Sequence, residues 1–172
     1  MTNGRNITAA RGPVGTPATA YAGAVGDGFD ALLGLEYLEL GPDQARAIWT
    51  VTPNLHQPNG IQHGGVYCAV IESVASTAGA RWLGTRGHVV GVNNSTDFLR
   101  AAREGALTAV ATPAFRGRTQ QLWGVDITDE QGRTVATGKV RLANISDTAH
   151  LGTTPDASDL GSHTERRGFL TI

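Results

Sequence analysis

One carboxylate stands out by its company. Between His63 and Leu83 the chain reads HGGVYCAVIESVASTAGARWL, in which Glu72 is the sole acid and Arg81 the sole basic residue apart from histidine. A helix that is apolar nearly all round is a buried one. An ionised carboxylate without a partner costs several kcal/mol to bury, and its pKa tends to rise instead. Glu72 is therefore expected in dry surroundings, for one of two reasons. It is a paired residue at a helix seam or subunit interface, or it is an active-site carboxylate on the floor of a cleft.

The other end of the same segment bears on that choice. Gly64 and Gly65 leave backbone N–H groups bare at a helix N-terminus, where donors lack intrahelical partners and the macrodipole is positive. Such a place holds an oxyanion or a polarised carbonyl oxygen. A tight turn from loop to helix would use the same two glycines. His63 at the helix start is a capping or orienting residue. Ser76 lies one turn beyond Glu72 on the same face and can bond the carboxylate or a water, or simply let another helix approach. Gln57 lies in the loop ahead of the helix.

Spacing adds a constraint. Glu72 follows Gly64 by eight residues, about 12 Å along a helix axis. A reacting atom must lie about 3 Å from both the base and the oxyanion donors. One helix cannot supply both, but two antiparallel copies can. A site here is a shared one at a two-fold interface, with Glu72 of one chain facing Gly64 and Gly65 of the other.

The elements that must position these groups follow from punctuation and alternation. Residues 1–26 are rich in Gly, Ala, Thr and Pro without periodicity and are expected to form a flexible arm. Asp27 is placed to cap a short helix ended by Gly34. LEYLEL (35–40) and RAIWTV (46–51) flank the turn GPD and predict a hairpin. Residues 53–60 form the loop into the long helix, which Gly84 stops. Four strands follow: 88–99 with a bulge near Gly91, 106–115 with an edge or kink at Pro113, 119–128, and 133–144 across the DEQG turn. Strands grouped around one long helix mean α+β rather than βαβ. The domain is expected over 27–145, with a tail at 146–172.

Composition bounds the function. The 172 residues suit one domain. A net charge of −1 and 17% charged residues give no general basic footprint for nucleic acid. Cys68 is the single cysteine, so no intrachain disulfide forms, and a buried, inert thiol is expected. The five histidines (56, 63, 88, 150 and 163) lack metal-ligand spacing, so no metal is expected. No uncharged apolar run reaches membrane-spanning length, and a cytoplasmic protein is expected. Neither a phosphate-binding glycine loop nor G-x-S-x-G is present.

The run QPNGIQHGG, followed by a helix with an acid at its middle, resembles the hotdog-fold acyl-CoA thioesterases. More narrowly, it resembles the PaaI-like branch that includes the phenylacetate-pathway enzymes and the Arthrobacter-type 4-hydroxybenzoyl-CoA thioesterase. The likeness extends from about Leu35 to Asn144. It implies a curved antiparallel sheet wrapped round the central helix, a dimer as the minimal active unit and a tetramer as the assembly. It implies hydrolysis of an acyl-CoA, with coenzyme A as part of the substrate and no separate cofactor. Gln57 and His63 would lie near the thioester carbonyl. The N–H of Gly65, with Gly64, would polarise it, and Ser76 would support attack. Glu72 would act as nucleophile or as general base. A Glu at that position is similar to the aryl-CoA enzyme and makes an aromatic acyl group attractive. Coenzyme A carries phosphates, so Arg100, Arg103, Arg116, Arg118 and Thr119 are its expected contacts. A hotdog-fold enoyl-CoA hydratase and a non-catalytic acyl-CoA binder remain as rivals.

Overall fold

A computed structural model describes residues 28–146. The expected arm at 1–26, the capping role of Asp27 and all but Ser146 of the tail lie outside the described residues. The first helix, α1 (Phe29–Leu33), has Gly28 at its N-cap without a side-chain cap bond, and Gly34 closes it in the left-handed conformation. The hairpin follows as β1 (Glu36–Leu40) and β2 (Ala45–Thr50).

The expected loop at 53–60 carries more structure than its composition suggested. A 3-10 turn at Pro53–Leu55 leads into a two-rung ribbon, β3 (His56–Gln57) with β4 (Ile61–Gln62). The connection is tight because Gly60 takes a φ of 68°. Its amide donates to the Gln57 carbonyl at 2.9 Å.

The central helix α2 spans Gly64–Leu83, with His63 as N-cap and Gly84 as C-cap. A second 3-10 turn covers Gly84–Arg86. Then come β5 (His88–Phe98), β6 (Ala106–Arg116), β7 (Gln120–Asp129) and β8 (Thr134–Ile145). Six strands form one antiparallel sheet in the order β1-β2-β6-β7-β8-β5. The sheet curves over α2, the α+β hotdog arrangement that the resemblance implied.

Alternation explains which face of the sheet meets the helix. Gln121, Trp123, Val125 and Ile127 are buried at every second position of β7, as are Ala45, Ala47 and Trp49 of β2. They enclose Val70, Ile71 and Val74 of α2, all fully buried. Each such side chain contributes on the order of 1.5–3 kcal/mol. Small residues bring the layers close. A Cβ on Gly138 would stand 3.0 Å from Ile71, and one on Gly79 would meet the side chain of Leu142.

Pro113 was expected at an edge or kink. Strand β6 is instead central, between β2 and β7, but its pairing with β2 ends at Ala111. Pro113 therefore breaks no rung on that side. A register shift against β7 between Pro113 and Phe115 supplies the kink. No helix among the described residues is long and apolar enough to cross a membrane.

Candidate active site

The two ends of α2 carry different chemistry. At the N-terminal end, His63 Nδ1 accepts the Gly65 amide proton at 2.9 Å. The Val66 amide bonds the His63 carbonyl at 3.0 Å. Gly64 is left as the helix-start residue whose amide has no acceptor among the described residues. Both glycines were expected to share the oxyanion role. The cap engages one of them and leaves the other open. The Phe98 ring fills the space beside Gly64, 2.6 Å from where a Cβ would stand. It continues an aromatic row through Tyr67 to Trp49, with ring centroids 5.8 and 6.5 Å apart.

The loop ahead of the helix is lashed down. Gln62, buried, donates its side-chain amide to the Leu55 carbonyl at 3.2 Å, and the His63 amide reaches the same oxygen at 2.8 Å. The Gln62 amide bonds the Ala102 carbonyl at 2.7 Å. Gln57 is half-buried on β3 and accepts from Asn59 Nδ2 at 3.3 Å. Its ribbon thus holds it on the same side of the fold as the N-terminus of α2.

Glu72 departs from expectation. It is exposed, where a helix apolar all round predicted dry surroundings. The sheet covers one side of α2 and leaves an open stripe with Gly65 and Glu72 exposed and Cys68, Ala69 and Ser76 half-buried. Cys68 is accordingly less enclosed than a core thiol. Ser76 makes no hydrogen bond to Glu72 among the described residues. The carboxylate is met instead from β5. Asn94 Nδ2 lies 3.4 Å from Glu72 Oε2, and Glu72 Oε1 occupies the space where Gly91 lacks a Cβ.

Within one subunit the expected coenzyme A contacts fall into two groups. Arg100 and Arg103 precede β6, while Arg116 ends it and Arg118 and Thr119 follow, roughly 30 Å away along an 11-residue strand. Arg103 is committed to the site loop, donating to the Asn59 and Gly60 carbonyls at 3.4 and 3.3 Å. Its own carbonyl meets His56 Nε2 at 2.9 Å. Arg116, Arg118 and Thr119 line a cleft of about 510 Å³ at the C-terminal end of α2, together with Trp82, Arg86 and Asn144.

Sequence reasoning missed the last three. No helical spacing could have paired Trp82 with Arg86, because Gly84 ends α2 between them and a 3-10 turn brings the Arg86 guanidinium to 4.3 Å from the Trp82 ring centroid. Arg116 approaches the same ring at 5.4 Å while paired to Asp43 at 2.8 Å. Asn144 Nδ2 fastens the β6–β7 turn through the Gly117 and Arg118 carbonyls, at 2.9 and 3.1 Å. Its Oδ1 accepts from the buried Gln121 at 2.7 Å. The wall of the cleft is thereby tied to the core.

Residues 59–136 match the model of the family described as the thioesterase superfamily. The chain is 56% identical over 120 residues to a Mycobacterium tuberculosis protein provisionally named an esterase, a match covering 68% of this chain and 86% of that protein. The solved structure of that protein aligns with a TM-score of 0.68 over 69% of this chain and 97% of that one, at 55% identity. The proofreading thioesterase EntH of Cronobacter turicensis is 40% identical over 113 residues, 64% of this chain and 81% of that protein. The 1,4-dihydroxy-2-naphthoyl-CoA hydrolase of Escherichia coli is 33% identical over 123 residues, 70% of this chain and 89% of that protein.

Proposed function

The chain belongs to the thioesterase superfamily, and from that premise we propose that it hydrolyses an aromatic acyl-CoA to the free acid and coenzyme A, in a site built by two subunits. The observation that carries this reading is the layout of α2. An amide at Gly64 that the cap leaves open and an accessible carboxylate at Glu72 lie on one helix, whose own sheet leaves the Glu72 face uncovered. They are about 12 Å apart along one axis, so they converge only across a two-fold axis.

The free edge of β5 supports the dimer. It is an 11-residue edge strand with Val92 and Phe98 exposed. A long, unpaired edge of that kind invites a second strand, and pairing with its own copy would set the two central helices antiparallel.

In this arrangement the Gly64 N–H of one subunit donates to the thioester oxygen and stabilises the negative charge that develops there. Glu72 of the other subunit has two routes. As nucleophile it bonds to the carbonyl carbon, expels the coenzyme A thiolate and leaves a mixed anhydride for water to open. As base it takes a proton from water, whose oxygen attacks the same carbon before the thiolate leaves. Gln57 and His63 flank the oxyanion position, and Ser76 lies one turn beyond the carboxylate.

The nucleotide end of the substrate is assigned to the cleft at Trp82, Arg86, Arg118 and Thr119. Trp82 lies ten residues beyond Glu72, about 15 Å along the helix, a span that the extended pantetheine arm bridges. An aromatic acyl group is favoured by the Phe98 ring beside Gly64, with the Tyr67 ring behind it. The name of the Escherichia coli relative also favours it.

The test is thiol release from benzoyl-, 4-hydroxybenzoyl-, phenylacetyl- and straight-chain acyl-CoAs, with Glu72→Gln beside the wild type. The expected result is a fall of at least about 100-fold in the variant, with aromatic substrates ranked first. No turnover across the panel, or turnover indifferent to Glu72, overturns the reading.

A further inference from the structure

The carboxylate of Glu72 has a seat, and it is on β5. Asn94 Nδ2 donates to the Cys68 carbonyl at 2.9 Å and reaches Glu72 Oε2 at 3.4 Å. Thr96 Oγ1 donates to Asn94 Oδ1 at 2.8 Å. That pair of contacts decides which way the amide points. Were it turned over, Asn94 Oδ1 would face both the Cys68 carbonyl and the Glu72 carboxylate, oxygen against oxygen. Gly91 completes the seat by having no side chain, for Glu72 Oε1 occupies the place of its Cβ.

The backbone is shaped for this. Positions 91 and 94 are an odd number apart, so in a regular strand they face opposite sides of the sheet. The register of β5 against β8 shifts between Gly91 and Asn93. A bulge re-aims side chains in this way, and here it turns both positions toward α2. Two features thus converge on one carboxylate: a donor fixed by its neighbours, and a gap left by a glycine.

We infer that Asn94 is a positioning residue that holds the Glu72 carboxylate in one rotamer for reaction, with Thr96 orienting the Asn94 amide and Gly91 leaving the room. This rests on the thioesterase reading above. A glutamate on an open helix face samples several rotamers, and a misplacement of 1 Å can cost about 100-fold in rate. The amide from β5 removes that freedom before substrate arrives.

The test uses the full-length protein and the acyl-CoA that it turns over fastest. Asn94→Leu keeps the volume and removes the donor. Thr96→Val keeps the shape and removes the hydroxyl, and it decides the matter if Asn94→Leu does not fold. Each is made in the wild type and in Glu72→Gln. The expected result is a loss of kcat of roughly 10- to 100-fold for Asn94→Leu with KM held, a smaller loss in the same direction for Thr96→Val, and no further loss from either in Glu72→Gln. Two changes that act through one group are non-additive in this way. An unchanged kcat, a rise in KM alone, or an equal loss in both backgrounds overturns the inference while Glu72 keeps its role. Turnover that survives Glu72→Gln removes the parent reading and the inference with it.

Discussion

His63 Nδ1 accepts a hydrogen bond from the Gly65 amide at 2.9 Å, so the capping nitrogen carries no proton of its own. The bond satisfies one orphan donor at the start of a 20-residue helix. Replacing His63 with alanine is expected to destabilise the fold by about 1 kcal/mol, the usual worth of a cap. Replacing it with asparagine, itself a good cap, is expected to restore most of that. Thermal unfolding of the two variants checks this, and equal losses in both would show that the ring does something other than capping.

Gly79 marks the closest approach of α2 to the sheet. A Cβ there would meet the side chain of Leu142 and stand 2.9 Å from Gln121 Oε1 and 3.3 Å from Trp123 Nε1. Those two atoms are already bonded to each other at 2.7 Å, deep in the core. Gly79→Ala gains helix propensity but overpacks a rigid polar pair. We expect a net loss of about 1–3 kcal/mol, read as a lower denaturant midpoint with an unchanged slope. A stabilised variant would mean that the layers can part at little cost.

The helix and the strand pairs were legible because local rules decide them. Glycines bracket α2, and alternation with short turns marks the hairpins. The accessibility of Glu72 was not legible, because composition reports how apolar a helix is and says nothing of how far the sheet reaches around it. How the five expected coenzyme A contacts are laid out along one subunit was not legible for a related reason. Arg103 and Arg116 are close in sequence, but Arg103 precedes an 11-residue strand and Arg116 ends it, so the strand carries them to opposite ends of the fold. Asn94 was hidden by the bulge in β5, since the side on which residues 91 and 94 face depends on a register that only pairing with β8 sets.

Asp129 organises the turn between β7 and β8. Its Oδ1 accepts from the Gln131 and Arg133 amides at 3.1 and 2.9 Å, and its Oδ2 pairs with Arg133 Nε at 2.7 Å. Burial pulls its pKa upward, but the Arg133 amide and guanidinium and the Gln131 amide outweigh that and hold it below its ordinary 3.8. A depressed carboxylate stabilises the fold above the unfolded-state value, and that stability is lost as pH falls through the folded one. Asp129→Asn is therefore expected to unfold earlier than wild type at pH 7, with the gap closing as pH falls below about 4. A gap that stays constant down to pH 2 would remove the charge from the explanation.

Tyr67 gives the opposite limb. Its side chain is buried in α2 against Trp49 and Phe98, and its hydroxyl has no partner among the described residues. Burial pushes its pKa up from 10.0 to about 12. Between those values the folded state keeps a proton that the unfolded state has released, so stability falls as pH rises through that window. Wild type is expected to lose stability steadily from pH 10 to about 12, and Tyr67→Phe to show a shallower alkaline limb. At neutral pH the same variant removes a buried hydroxyl that lacks a bond, so it is expected to be neutral or more stable by up to about 1 kcal/mol. Unfolding midpoints from pH 7 to 12 test both halves. A Phe variant destabilised at pH 7 would show that the hydroxyl is bonded in solution, for which a buried water is the natural partner.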